Sequence, residues 1–252
     1  MYMDNQMKNN IIFADFGNTN AKFLPSDGNF VRIAYDTPQF QSILNNYNST
    51  GSTLVFASVN DKSVATLRNF DNIKLINIHK LQDISEFIDY ADIEGIGADR
   101  LLGLVGALSH APPPLITIDC GTAVTINALD KNKKMLGGLI LPGPQLQEFA
   151  LRSRTDGLTN IEITPPDELL GKDTQSAMSS GIINGIALGI ISIVKRIKKE
   201  KFNNNHCNIF LTGGDALLIL PYLQKSLNII YDELLVIKGI KHIYELWSTE
   251  KN

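Results

Sequence analysis

Apolar runs that deliver a carboxylate into a glycine turn occur twice along this chain. Residues Ile11-Ile12-Phe13-Ala14-Asp15-Phe16 read as a buried strand and residues 21–24 as its antiparallel partner. The turn signal Pro25-Ser26-Asp27-Gly28-Asn29 leads to a third strand over 30–35. A helix is predicted over 38–47, then strands over 53–58 and 73–78 around a helical stretch at 64–70, so the opening meander grows into a mixed sheet. Leu101, Leu102, Leu104, Val105 and Leu108 predict a helix over 98–110, which Pro112-Pro113-Pro114 ends because proline cannot continue the hydrogen-bond ladder.

The pattern then restarts. A strand over 115–119 carries Asp119 into Cys120-Gly121-Thr122, and strands over 124–129 and 135–141 follow around Lys131-Asn132-Lys133. A long helix is predicted over 174–201, then a strand over 207–211 that passes through Thr212-Gly213-Gly214-Asp215-Ala216 into a helix over 217–222. The repeated opening predicts an α/β protein of two lobes with mixed sheets, derived from a duplication, with the proline run as the boundary: residues 11–112 and 113–252. Residues 1–10 are polar and rich in Asn, and are expected to form a disordered N-terminal extension.

Composition narrows the function. A net charge of −3 and no sustained basic stripe argue against nucleic acid as a partner, since Lys and Arg contacts to phosphates supply most of such affinity. No uninterrupted apolar run approaches the ~20 residues of a membrane span and no secretory leader is legible, so no membrane partner is expected and the protein is read as cytoplasmic. Cys120 and Cys207 are the two cysteines, without metal-ligand spacing, and read as reduced core thiols. His79, His110, His206 and His242 are scattered and read as surface or structural residues. In the 174–201 helix, Gly181, Gly185 and Gly189 recur at four-residue spacing, which fits either a close interface with another backbone or room for bulky core neighbours.

The two strand–turn blocks suit phosphoryl transfer, where positioning and charge stabilisation dominate. Asp15 at a strand end can hold Mg²⁺ through water, and Gly17, Asn18, Thr19 and Lys22 can donate to phosphates. Asp119, Gly121 and Thr122 offer a second set of such groups, while Asp99 and Arg100, in Gly97-Ala98-Asp99-Arg100 at a helix start, can take a hydroxyl proton and bind an anionic or amide-bearing substrate. Neither a P-loop motif nor a Gly-x-Gly-x-x-Gly turn after a strand is present, which disfavours P-loop and Rossmann chemistry.

Four ordered motifs carry a family resemblance: Asp15-Phe16-Gly17-Asn18-Thr19, Gly97-Ala98-Asp99-Arg100, Asp119-Cys120-Gly121-Thr122-Ala123-Val124-Thr125, and Gly137-Gly138-Leu139-Ile140-Leu141-Pro142-Gly143. With them the chain resembles the type III pantothenate kinases from Ile11 almost to its C-terminus. The resemblance implies an actin-like fold of two ribonuclease-H-like lobes with the active site between them. It also implies ATP-dependent phosphorylation of pantothenate to 4′-phosphopantothenate, the first step of coenzyme A biosynthesis.

It further implies a homodimer with the active site at or near its interface, dependent on Mg²⁺ with ATP and on a monovalent cation, K⁺ or NH₄⁺. By similarity, Asp15, Phe16, Gly17, Asn18, Thr19, Asn20, Ala21, Lys22 and Thr122 bind ATP, Asp99 is the general base, and Asp119 ligates the monovalent cation. Tyr90, Gly97, Ala98, Asp99, Arg100 and Thr174 contact pantothenate, with Thr174 reaching from the partner subunit. The chain departs from the family pattern at Asp92-Ile93 (usually Asn-Pro), at Gly103 (commonly Asn) and at Thr155-Asp156-Gly157-Leu158 (usually Thr-x-x-Leu-Pro). The alternatives are a kinase of the same fold for another small hydroxylated acceptor, and a nucleotide-binding regulatory protein of the same fold.

Overall fold

The computed structural model describes residues 10–26, 28–58, 61–81, 83–154 and 162–250. The expected N-terminal extension, apart from Asn10, and the departure at Thr155-Asp156-Gly157-Leu158 lie outside them. Two units result: residues 1–110 with 234–252, and residues 111–233.

In the first unit, β1 (Ile11–Phe16), β2 (Asn20–Pro25), β3 (Val31–Ala34), β4 (Thr53–Ser58) and β5 (Lys74–Asn77) form one sheet in the order β3-β2-β1-β4-β5. β1 pairs antiparallel with β2 and parallel with β4. β1 and β4 are apolar on both faces because both are covered, which explains why they read as continuous runs rather than alternating ones. Helix α1 (Pro38–Ser49) begins with proline at its N-terminus, where no backbone donor is lost, and buries Phe40, Leu44 and Tyr47 at helical spacing against Phe23. Helix α2 (Asp61–Leu67) starts earlier than the expected 64–70.

Helix α3 (Ala98–Leu108) is buried along Leu101–Ala107. It crosses the C-terminal helix α7 (Leu235–Glu250) at Gly106 and Gly239, where a Cβ on either would run into the other helix's carbonyls, those of Leu235 and Leu102. This corrects the expected domain division. Residues 234–252, assigned from sequence to the second lobe, pack with the first, because α7 lays its buried Leu235, Ile240 and Ile243 on that unit and closes a crossing that only paired glycines permit.

The second unit repeats the design. β6 (Leu115–Cys120), β7 (Ala123–Leu129), β8 (Met135–Pro142), β9 (Asn208–Thr212) and β10 (Ile230–Tyr231) order as β10-β9-β6-β7-β8, with β6 antiparallel to β7 and parallel to β9. Read outward from β6, this is the first sheet's order and polarity again. Helix α4 (Pro144–Arg154) was not legible in the sequence: most of its apolar residues, Phe149 among them, are exposed, so no periodic buried face marks it.

Helix α5 (Thr174–Lys201) is capped by Asp173 and Ser176, which bond reciprocally to each other's backbone N–H. Among the described residues it is the one helix long and apolar enough to cross a membrane, because glycine, serine and asparagine interrupt its apolar residues for more than four turns and charges do not. Half of that stretch is buried, with Ile182, Ile183, Ile186, Ile190 and Val194 in the unit's core. Gly181, Gly185 and Gly189 have nothing within 4 Å of where a Cβ would stand, so they make no room for bulky neighbours among the described residues. Helix α6 (Ala216–Leu223) follows β9 as expected.

Candidate active site

Asp15 is the fifth residue of β1 and is buried. The turn that follows is tied by the Gly17 N–H donating to the Asn20 carbonyl at 3.1 Å and by the Tyr35 hydroxyl donating to the Gly17 carbonyl at 2.7 Å. Asn18 and Thr19 are exposed there, as phosphate donors must be. Phe16 and Ala21 point the other way. Both are fully buried, and Phe16 meets Phe23 and Phe56 edge to face at 5.7 and 5.8 Å, so these two can offer a nucleotide only their main chain.

The antiparallel register puts Lys22 opposite Asp15, and its Nζ lies 3.4 Å from Asp15 Oδ2. Burial pushes the Asp15 carboxyl up, Lys22 pulls it back by charge and hydrogen bond, and the charge of Asp99 pushes it up further. Asp15, Lys22 and Asp99 therefore share one electrostatic site within the first unit.

Gly97 caps α3 and Asp99 is its second residue. The Arg100 backbone N–H donates to Asp99 Oδ1 at 2.9 Å, so the carboxylate folds back over the helix start. Arg100 is partly buried, which lowers its pKa while Asp99 raises it; a guanidinium stays charged throughout. A cavity of about 660 Å³ opens beside this helix, lined by Ser58, His79, Lys80, Asp83, Tyr90 and Ala98 among others. It brings together Tyr90 and Ala98, two of the expected substrate contacts.

His79 was read from sequence as surface or structural. Burial draws its pKa down, so its imidazole presents neutral nitrogen to the cavity at neutral pH. No local signal could have found it, because it reaches the wall through a single 3₁₀ turn at Ile78–Lys80.

In the second unit Asp119 is likewise the fifth residue of its strand, and the Gly121 N–H donates to the Ala123 carbonyl at 3.0 Å, the counterpart of the Gly17 bond. Thr122 is exposed on this turn. Gly143 and Gly213 press against it: a Cβ on Gly143 would strike the Gly121 and Thr122 carbonyls, and one on Gly213 the Cys120 carbonyl and the Asp119 carboxylate. Gly213 also has φ +104°, which favours glycine. The Thr212–Ala216 segment thus closes on the end of β6, held by the Asp215 N–H donating to the Cys120 carbonyl at 2.8 Å. The Cys120 thiol is pushed up by burial first, then by Asp119 and Asp215, and is unreactive. Thr174 is exposed as the first residue of α5, on an element apart from Asp119 and Thr122.

Among the described residues no three His, Cys, Asp or Glu side chains gather as a metal cage. What the chain offers instead is single carboxylates, Asp15 beside the Lys22 ammonium and Asp119 beside the Cys120 carbonyl. That set suits hard cations which share their coordination with substrate phosphates and water.

The sequence profile of a family described as type III pantothenate kinase matches residues 11–196. A type III pantothenate kinase of Sulfurihydrogenibium sp. (strain YO3AOP1) is 35% identical over 200 residues, 77% of this chain and 76% of that protein. Among solved structures, a Campylobacter jejuni protein described as a Baf family transcriptional activator aligns with a TM-score of 0.63 at 24% identity, over 94% of this chain and 99% of that one. An archaeal actin homologue solved with ADP aligns with a TM-score of 0.51 at 14% identity, over 96% and 99%. These two likenesses establish the actin-like fold.

Proposed function

The chain belongs to the type III pantothenate kinases, and from that premise we propose how its residues divide the work. The reaction is phosphorylation of pantothenate by ATP, in coenzyme A biosynthesis. The acceptor hydroxyl attacks the γ-phosphorus, the bond to ADP breaks, and the hydroxyl proton must leave. Asp99 takes that proton. The observation that carries this assignment is the position of its carboxylate: Oδ1 is engaged by a backbone N–H, while Oδ2 has no hydrogen-bond partner among the described residues.

Lys22 and the main chain of the Gly17–Thr19 turn bind phosphate oxygens, with Asn20 and the backbone of Phe16 and Ala21 framing that turn. Thr122 of the second unit is the other ATP contact. Tyr90, Ala98 and Arg100 bind pantothenate, the guanidinium being the charge that complements its carboxylate.

ATP on this fold brings a divalent metal. Asp15 fits Mg²⁺, being a carboxylate at a strand end which at present satisfies its charge with Lys22. Mg²⁺ supplies charge neutralisation on the phosphates when bound. Asp119 fits K⁺ or NH₄⁺, since its carboxylate and the Cys120 carbonyl both border Gly213, an all-oxygen pair of the kind hard cations take. Two buried thiols support a reducing cytoplasmic setting.

Asp99→Asn tests the base. Turnover should drop by about 10²–10⁴, the usual worth of general base catalysis, with ATP affinity retained. Turnover near that of the wild type in this variant would remove Asp99 from the role.

We also propose a homodimer in which Thr174 completes the partner's pantothenate site. The exposed Thr174 and the open glycine face of α5, with Leu188 exposed beside it, support this reading. Mixing inactive Asp99→Asn with a Thr174→Val variant should restore one intact site per mixed dimer. Failure of mixed subunits to regain activity, with both variants dimeric, would place Thr174 in its own subunit's site or in none.

A further inference from the structure

We infer that Gly97 is a positioning residue for the base: its missing side chain is the space in which the Asp99 carboxylate sits. This rests on the assignment of Asp99 as the base. A Cβ built on Gly97 would stand 2.5 Å from Asp99 Oδ1 and 3.7 Å from its Cγ, and it would meet nothing else within 4 Å. The first distance is shorter than real Cβ contacts allow, so with any other residue at position 97 the carboxylate must move.

The backbone itself makes no demand for glycine. Gly97 has φ −66° and ψ 143°, an extended conformation that every L-residue adopts freely. The pressure on position 97 comes from one carboxylate and from no other group.

What that space holds is the bond from the Arg100 N–H to Oδ1 at 2.9 Å. It locks the rotamer of a side chain that otherwise has several, and it draws charge from Oδ1, which leaves Oδ2 the better acceptor for the proton from the hydroxyl. Rotating the carboxylate out of the helix start breaks this bond and moves both oxygens by about an ångström or more. Displacements of that order at a reacting group cost up to about a hundredfold in rate. The role differs from that implied by family resemblance, in which Gly97 contacts pantothenate directly.

Gly97→Ala separates the two. Displacement of the base predicts a kcat lowered about tenfold to a hundredfold, with KM for ATP unchanged, thermal stability unchanged or slightly raised, and an altered pH dependence of kcat as Asp99 exchanges its hydrogen bond for solvent. In the Asp99→Asn background the same substitution should have no further effect, because the function it disturbs is already gone. An equal further loss in that background, or a raised KM for pantothenate with kcat intact, would show that Gly97 meets the substrate itself and would overturn the inference. So would wild-type kinetics for Gly97→Ala alongside a crippled Asp99→Asn. If Asp99→Asn retains full turnover, the assignment of the base fails first, and the two failures are told apart by that single variant.

Discussion

Replacing Lys22 by Met removes the cation that faces a buried carboxylate and keeps most of the apolar stem. At the observed separation of 3.4 Å, the attraction between Lys22 and Asp15 amounts to about 5 kcal/mol at an effective dielectric constant of 20. Both side chains are nearly buried, 14% and 10% exposed, so solvent screening takes little of this away.

The loss has a ceiling, because Asp15 can become protonated instead of staying charged and alone. Starting from an ordinary carboxyl pKa of 3.8, neutralising it costs about 1.4 kcal/mol per pH unit, or about 5 kcal/mol at pH 7.5 but only about 1.6 at pH 5. The sign follows from the direction of the shift. A carboxyl whose folded pKa is raised favours the folded state below its unfolded pKa and loses that contribution as the pH climbs through the folded value. Removing Lys22 raises the folded pKa again and widens the window.

Urea denaturation without nucleotide should therefore find Lys22→Met less stable than the wild type by about 3–5 kcal/mol at pH 7.5 and by no more than about 1.6 at pH 5. Asp15→Asn added to Lys22→Met should recover most of the deficit at the higher pH. A deficit of equal size at both pH values would refute the reasoning and leave Lys22 with a packing role only.

Gly239→Ala should destabilise the first unit by about 1–3 kcal/mol, since the new methyl enters the Leu102 carbonyl at the α3–α7 crossing; unchanged stability in urea would mean that the helices re-seat freely. Asp119→Ala should abolish the rise in pantothenate-dependent ADP release on exchanging Na⁺ for K⁺, and an intact cation response would move that site elsewhere.

The features legible in the sequence are those that local order writes. The strand ending in Asp15 and its echo ending in Asp119 are each a few contiguous residues, and the order of apolar run, carboxylate and glycine survives in one dimension. Helix α5 was legible to the residue, the expected 174–201 being its observed bounds, because its apolar residues run for several turns without a charge. The placement of α7 was not legible, since its own pattern shows an apolar face and nothing of which core that face will cover. His79 and Lys80 reach the cavity through three residues of 3₁₀ helix, too short for any periodicity. The Lys22 ion pair lies between these cases. Both residues were visible, but a three-residue turn and an antiparallel register had to bring them opposite each other before the lysine's first partner could be seen to be a carboxylate rather than a phosphate.

The same register explains why two copies of one strand–turn block would hold different cations. Asp15 and Asp119 occupy the fifth position of equivalent strands, each paired on one side to an antiparallel neighbour and on the other to a parallel one. Opposite Asp15 stands Lys22, and opposite Asp119 stands Thr125. The turn in the second copy is one residue shorter, with Gly121 bonding to Ala123 where Gly17 bonds to Asn20. In the first unit the protein supplies its own monovalent cation to the carboxylate. In the second, a hydroxyl stands at that register position. The turn is packed closely against two glycines, the Gly121 and Thr122 carbonyls against Gly143, and the Cys120 carbonyl with the Asp119 carboxylate against Gly213. A carboxylate beside a carbonyl with no lysine in register suits a weakly hydrated monovalent ion, and this contrast supports the proposed division, K⁺ or NH₄⁺ at Asp119 and the nucleotide's Mg²⁺ at Asp15.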